Sequence, residues 1–152
     1  LEGYTLGAGL EIAAACDMRI AADTAHFGMP EVRVGIPSVV EAALLPRLIG
    51  WGRTSWLLMT GETIDAVTAE RWGLVEQVVP ADRLDAAVER CVAAVVEGTP
   101  KSVRAQKRLM RRWERLSLDE AVQAGIDSFA QSVAEGEHVE RMADFINRPR
   151  KA

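Results

Sequence analysis

A glycine-rich turn that leads into a helix of small residues is the feature that most restricts how this chain can fold. Residues 7–17 read GAGLEIAAACD, in which Gly7 and Gly9 allow a sharp turn. Residues 10–16 are apolar on all sides except at Glu11, which predicts a short, buried helix after a strand. Burying an unpaired carboxylate among apolar side chains costs free energy. The presence of Glu11 in this helix therefore requires an explanation.

The turn itself predicts a site for an oxygen atom that carries negative charge. At the N-terminus of a helix, the N–H groups near Ala8 and Gly9 lack partners within the helix and point at whatever lies in front. Small residues at this place let a substrate carbonyl approach the backbone. The alternative is an ordinary turn between strand and helix, in which Glu11 only favours the helix dipole.

A second carboxylate favours the catalytic interpretation. Glu31 follows Pro30 in the sequence FGMPE, twenty residues after Glu11, and the extended segment between them is long enough to leave the helix and return. Two neighbouring carboxylates push their pKa values apart, so that one acts as a base while the other carries a proton. The alternative for Glu31 is a solvated acid in a loop. Together the two acids predict acid–base chemistry in one pocket, such as the addition of water to a double bond.

The order of the predicted elements divides the chain near Pro80. Short strands and helices come first, and long helices follow. The long helices are predicted over residues 81–97, 100–116, 118–135 and 137–147. We therefore expect a mixed α/β part over residues 1–80 and a helical part over residues 81–152.

Two serines are predicted to cap helices. Ser38 precedes an apolar stretch and is expected to cap a helix over residues 39–49, which Gly50 ends. Ser117 and Glu120 have the spacing of a capping box, which predicts the start of one of the long helices.

Composition and charge exclude several classes of protein. With 152 residues, 49% hydrophobic and 26% charged content, the chain is long enough for one core and differs from disordered and membrane-spanning sequences. It has no run of about 18 apolar residues and does not begin like a signal peptide, which predicts a cytoplasmic protein that does not enter membranes. The net charge of −4 argues against nucleic acid as the main partner. Cys16 and Cys91 lack metal-ligand spacing and are predicted to be small buried side chains, and we expect neither a metal nor a redox cofactor.

Several motifs together carry a resemblance to a known family. Residues 1–37 contain a strand, a G-x-G turn, an acid, a helix of small residues that ends in Cys-Asp, and the sequence FGMPE. Residues 44–80 read LLPRLIGWGRTSWLLMTGETIDAVTAERWGLVEQVVP. The chain resembles the crotonase family, the enoyl-CoA hydratase/isomerase superfamily, over essentially its whole length. The resemblance implies an α/β fold, in which the crotonase-like ββα spiral, without its N-terminal part, is followed by a helical C-terminal trimerisation region.

The resemblance also implies roles for the turn and the two acids. The N–H group of Ala8 would stabilise the oxyanion of a thioester, and Glu11 and Glu31 would add water across the 2,3 double bond of an enoyl-CoA. Coenzyme A would be part of the substrate, with no further cofactor and no metal, and members of the family commonly form homotrimers or homohexamers. The residues expected to border the substrate are Gly7, Gly9, Pro30, Ser38 and Glu41.

The sequence departs from the family pattern at two places. The loop GIPSVVEAALLP, which follows Glu31, is one residue shorter than usual and has Ser38 where a glycine often stands. It also adds the carboxylate of Glu41, for which a position on a helix surface is the alternative explanation. The segment that normally precedes Leu1, with the first oxyanion donor and much of the CoA-binding surface, is absent from the sequence. The chain alone is therefore expected to lack part of the catalytic machinery.

Two alternatives stay open at this point, and the first is an enoyl-CoA isomerase or another reaction of the crotonase family. Enoyl-CoA isomerases of the same family move a proton with one acid and commonly have an apolar residue at the position of Glu11, so the presence of Glu11 favours hydration. The alternative of another class is a truncated, noncatalytic module that binds CoA or a partner. The missing N-terminal part supports that alternative. One helix also has a basic face, which a solvated surface explains first, subunit contacts or CoA phosphates next, and nucleic acid last. The residues of the face are Lys101, Arg104, Arg108, Arg111, Arg112 and Arg115.

Overall fold

The computed structural model describes residues 1–147 of the chain. The chain forms two units, Leu1–Val92 and Ala93–Ala152. The first unit is mixed α/β and the second is helical over its described residues. The predicted division near Pro80 rests on the change in element type and stays a prediction.

Among the described residues, five short strands form two small sheets in the first unit. The strands are β1 (Tyr4–Leu6), β2 (Ile20–Ala22), β3 (His26–Gly28), β4 (Thr63–Asp65) and β5 (Gln77–Val79). The first sheet has the order β1, β3, β4, with β1 parallel to β3 and β3 antiparallel to β4. The second sheet pairs β2 with β5 in parallel. The first sheet is the one that positions the candidate site, because Leu6 at the end of β1 is in register with Gly28 at the end of β3.

Short helices connect and cover these strands. The α-helices that begin in the first unit are α1 (Ala8–Ala15), α2 (Leu45–Ile49), α3 (Trp51–Thr60), α4 (Ala66–Trp72) and α5 (Leu84–Val96). The 3-10 helices are Pro30–Val34, Val40–Leu44 and Ala81–Arg83. Gly50 ends α2, as predicted. Asp65 caps α4, where hydrogen bonds from the side chain and the backbone N–H of Thr68 hold the pKa of Asp65 below its ordinary value.

The prediction of one continuous helix over residues 39–49, capped by Ser38, is wrong. The segment forms the 3-10 helix Val40–Leu44 and then α2, and no side chain caps either of them. Val40 has φ 48°, which lies outside the right-handed helical region. Pro46 has no N–H group to donate along the helix. These two residues prevent a single α-helix from extending across the segment.

Only one face of α1 packs into the core of the first unit. The core's largest fully buried side chains are Phe27, Leu10, Met29, Leu45, Leu57, Leu74 and Thr54. In α1, Leu10, Ala13 and Ala14 are buried, whereas Ile12 is 68% exposed. The prediction that α1 is buried on all sides is therefore wrong. Residues at positions i, i+3 and i+4 share one face of a helix, and only that face meets the described core.

The two cysteines also differ from their predicted environment. Cys16 lies exposed just beyond α1, and Cys91 is half-buried in α5. Both have free thiols, and the Sγ atom of Cys91 lies 3.7 Å from Sδ of Met18. The prediction of buried side chains fails at Cys16 because the chain has already left the buried face of α1 at that point.

The second unit contains α6 (Pro100–Trp113), α7 (Leu118–Ala134) and α8 (Glu137–Asn147). The predicted capping box of Ser117 and Glu120 is confirmed at the start of α7. α6 packs against α7, and Leu109 and Ala124 are buried in these helices.

The basic residues of α6 are exposed, as a solvated face requires. Several of them border an open cleft of about 500 Å³ along α6 and α7. Those residues are Lys101, Arg104, Arg108 and Arg112. The α7 side of the cleft includes Asp127 and Glu135, so positive and negative side chains share its walls.

Within residues 1–147, no helix has the length and apolar character needed to cross a membrane. The same residues contain no group of three or more His, Cys, Asp or Glu side chains that could hold a metal ion.

Candidate active site

The parallel pairing of β1 with β3 explains how residues twenty positions apart in the chain meet. Because Leu6 pairs with Gly28, both strands end at the same edge of the sheet. Gly7 follows β1 directly, and its N–H group donates to the carbonyl oxygen of Gly28 at 3.0 Å. The segment after β3 continues into the 3-10 helix Pro30–Val34, which carries Glu31 in its first turn. The turn at Gly7 and the segment that carries Glu31 therefore begin at the same edge of the sheet.

The N-terminus of α1 presents unused backbone donors. Gly7 precedes the helix with φ 51°, and no side chain caps this end. The N–H group of Glu11 donates to the carbonyl oxygen of Gly7 at 3.0 Å, which closes the first helical turn. The N–H groups of Ala8 and Gly9 lie within that turn, where a helix has no internal acceptor for them. Both residues are exposed, so an external oxygen atom can approach this end of the helix.

Glu11 lies in the first turn of α1 and is half-buried. Its neighbour Leu10 is fully buried and its neighbour Ile12 is exposed, so Glu11 stands at the border between the core and the open face. A carboxylate near a helix N-terminus is favoured by the helix dipole. The position is therefore compatible both with a helix-end charge and with a group that acts on a bound molecule.

The side chain of Glu31 reaches back to the turn that begins α1. Its Oε2 atom accepts a hydrogen bond from Oγ of Ser38 at 2.9 Å. Its Oε1 atom lies against Gly7, where a Cβ atom would overlap it. Gly7 is thus required by its positive φ, and a Cβ atom there would push the end of the Glu31 side chain aside. The structure brings Gly7, Glu31 and Ser38 together at the N-terminus of the helix that carries Glu11.

The other predicted pocket residues have weaker connections to this cluster. Gly9 has open space around it, because a Cβ atom there would meet nothing within 4 Å. Pro30 is half-buried and opens the 3-10 helix that carries Glu31. Glu41 is exposed in the 3-10 helix Val40–Leu44, which packs against α1.

Sequence reasoning missed two features of this region. A Cβ atom at Gly28 would lie 3.0 Å from the carbonyl oxygen of Glu62, so this glycine is required where β3 passes β4. The sequence signal for this requirement is that Gly28 stands directly before Met29 and Pro30 in FGMPE. The second feature is an open cleft of about 500 Å³ beside Ser38. Its mostly apolar lining includes Val39, Val40, Ala43, Trp51 and Leu58.

Comparison with known proteins gives the family. The model of the enoyl-CoA hydratase/isomerase family matches residues 1–151. A probable enoyl-CoA hydratase of Mycobacterium tuberculosis is 38% identical over 149 residues, which cover 97% of this chain and 58% of that protein. A crotonyl-CoA hydratase of Syntrophomonas wolfei is 36% identical over 153 residues, which cover 100% of this chain and 58% of that protein.

A solved structure agrees with these sequence matches. The crystal structure of an enoyl-CoA hydratase from Bacillus anthracis is similar with a TM-score of 0.89 and 32% identity, over 94% of this chain and 56% of that one. The chain spans a little over half the length of the relatives it matches. Its fold is the partial crotonase fold that the motifs indicated. The chain belongs to the enoyl-CoA hydratase/isomerase family.

Proposed function

We propose that the protein carrying this chain hydrates an enoyl-CoA thioester by adding water across the 2,3 double bond. The observation that carries the proposal is the position of the Glu31 carboxylate against Gly7, at the start of the helix that carries Glu11. Backbone donors and two acids thereby come from adjacent elements. Relatives named as enoyl-CoA and crotonyl-CoA hydratases, at 36% to 38% identity, support the same reaction.

In the proposed reaction, the N–H group of Ala8 donates to the thioester oxygen. Charge moves onto this oxygen when a nucleophile attacks the β-carbon, because an enolate forms. A backbone donor aimed at that charge stabilises the transition state, and loss of one such donor lowers kcat by about 10²–10³. The small residues at Gly7 and Gly9 leave room for the thioester to approach.

The two acids divide the proton transfers. One carboxylate takes a proton from water while the water oxygen bonds to the β-carbon. The other, in its protonated form, gives its proton to the α-carbon as the enolate returns to a thioester. One water molecule is consumed, and the saturated product carries a hydroxyl group at the β-carbon. Because both steps need an acid or a base, Glu11 and Glu31 are each required.

The substrate supplies the only coenzyme in this proposal, since coenzyme A is part of the thioester. We propose no metal and no redox cofactor, and we propose a homotrimer or homohexamer as the working assembly. Nucleic acid has no place in the reaction. The isomerase alternative requires one acid only, so the half-buried Glu11 at the start of α1 favours hydration.

The first prediction is that Glu11→Gln and Glu31→Gln each lower kcat by about 100-fold or more, since general acid–base groups contribute about 10²–10⁴. The measurement is the loss of enoyl absorbance with crotonyl-CoA and the full-length protein. KM is expected to change little, because the acids act in the transition state. Glu89→Gln, which changes an exposed acid on α5, is the matched control.

Three results distinguish the alternatives. Wild-type rates in both variants contradict the two-carboxylate mechanism. Conversion of a 3-enoyl-CoA to the 2-enoyl-CoA that survives Glu11→Gln supports the isomerase. Binding of crotonyl-CoA without turnover by the unaltered protein supports a noncatalytic module.

A further inference from the structure

We propose that Ser38 is a positioning residue for Glu31, and that its hydroxyl group selects which carboxylate oxygen acts in the reaction. The inference rests on the proposed hydratase function.

The first observation is the hydrogen bond between the two side chains. Oγ of Ser38 donates to Oε2 of Glu31 at 2.9 Å, and both residues are half-buried. A carboxylate can rotate about its last torsion angle and exchange its two oxygen atoms, since that torsion is broad and nearly two-fold. A donor on one oxygen removes that freedom, and a bond to a charged acceptor is stronger than one between neutral groups.

The second observation concerns Oε1, the other oxygen atom of the Glu31 carboxylate. Oε1 lies against Gly7, and the free N–H groups of α1 begin at the next residue, Ala8. In the proposed reaction this turn holds the thioester oxygen. Ser38 therefore occupies Oε2 and leaves Oε1 directed to the place where the substrate is held. This geometry makes Oε1 the oxygen that exchanges a proton with water or substrate.

The third observation is that the loop holds Ser38 in a defined place. Gly35 has φ 82°, and Val40 has φ 48°, which is strained for a β-branched residue. The N–H group of Ile36 donates to the carbonyl oxygen of Glu31 at 3.2 Å, so the loop closes on the residue that Ser38 contacts. After the loop, Ala42 is buried in the 3-10 helix that packs against α1. A strained backbone persists only where its surroundings stabilise it. The loop therefore keeps the Ser38 hydroxyl group at the Glu31 carboxylate.

The experiment compares Ser38→Ala and Ser38→Thr in the full-length protein with crotonyl-CoA. Ser38→Ala is expected to lower kcat about tenfold to hundredfold, since hydrogen bonds to charged groups are worth that much, and to change KM less than about threefold. Ser38→Thr keeps a β-hydroxyl group and is expected to restore most of the rate. Ser55→Ala, which removes an exposed serine hydroxyl on α3, is the matched control.

A double-mutant cycle separates positioning from a general structural effect. If Ser38 acts through Glu31, Ser38→Ala has almost no further effect on kcat in the Glu31→Gln background. Equal fold-losses in both backgrounds, or a wild-type rate for Ser38→Ala, overturn the inference. If Glu31→Gln alone keeps the wild-type rate, the proposed function fails instead, so the two failures are distinguishable.

Discussion

The two glycines of the G-x-G motif, Gly7 and Gly9, differ in whether they tolerate a side chain. Gly7 has φ 51° and meets the Glu31 carboxylate, whereas Gly9 lies inside α1 with open space around it. A side chain at Gly7 would strain the backbone and displace the Glu31 carboxylate, but one at Gly9 would do neither. The G-x-G motif thus contains one glycine that the fold needs and one that leaves space at the helix surface.

We therefore predict that Gly7→Ala and Gly9→Ala change stability in opposite directions. Gly7→Ala is expected to lower the free energy of unfolding by about 2 kcal/mol or more, since positive φ alone costs about 1–2 kcal/mol. Gly9→Ala is expected to raise it by about 0.5–1 kcal/mol, because alanine loses less conformational entropy in a helix. Chemical denaturation of both variants is the measurement. Equal destabilisation by the two substitutions contradicts this account of the turn.

At the scale of elements, one buried arginine connects segments that are distant in the chain. Arg19 is 5% exposed, and its Nε donates to the carbonyl oxygen of Leu74 at 2.7 Å. Nη1 donates to the carbonyl oxygen of Cys16 at 2.8 Å, and Nη2 forms an ion pair with Glu76 at 2.5 Å. These contacts tie the segment after α1 to the segment before β5. They lie next to the second sheet, in which β2 pairs with β5.

Arg19→Ala is predicted to lower the free energy of unfolding by about 1–3 kcal/mol, because it leaves the carbonyl oxygens of Leu74 and Cys16 without their donor. Glu76→Gln is predicted to cost less, since its side chain is 46% exposed and the carbonyl partners of Arg19 remain. Arg83→Ala, an exposed residue in a 3-10 helix, serves as the control and is expected to change stability by less than about 0.5 kcal/mol. If the three substitutions have equal effects, Arg19 does not have this connecting role.

At the scale of the whole molecule, α7 has an apolar face that no described neighbour covers. Its residues recur at helical spacing and all are exposed. They are Leu118, Val122, Ile126, Phe129 and Val133. Large exposed apolar stripes on a helix are typical of subunit interfaces. This face is a candidate interface for the proposed homotrimer or homohexamer.

The corresponding prediction is that Ile126→Lys and Phe129→Lys convert the full-length protein from its assembly to smaller species. These residues are 56% and 72% exposed, so lysine does not disturb the described core. Gln123→Lys is the control, because it places the same charge beside Asp127, away from the apolar face. Sedimentation velocity is the measurement. An unchanged sedimentation coefficient in both apolar-face variants contradicts the assignment of this face to the interface.

The features that sequence reasoning predicted correctly depend on neighbours in the chain. The capping box of Ser117 and Glu120 needs only residues three apart, and it is present in the structure. Gly50 ends a helix through its own conformational freedom. The family could be predicted for the same reason, because its motifs are contiguous segments that the family model also matches.

The errors arose where a distant contact decides the outcome. Ser38 was predicted to cap a helix from its position before an apolar stretch, but its hydroxyl group bonds to Glu31 instead. That bond depends on how the loop folds back, which Gly35 and Val40 determine through positive φ angles. The exposure of Ile12 likewise depends on which face of α1 meets the core.

By itself, the sequence determined the family, because its motifs are short contiguous segments. It also predicted the two acids and the turn that would hold an oxyanion, and these roles stay predictions. Only the tertiary structure decided that the Glu31 carboxylate lies against Gly7 and accepts a hydrogen bond from Ser38. The parallel register of β1 and β3 brings these residues to one edge. Strand pairing is a contact between distant parts of the chain, and the alternation within one three-residue strand does not say which other strand it pairs with.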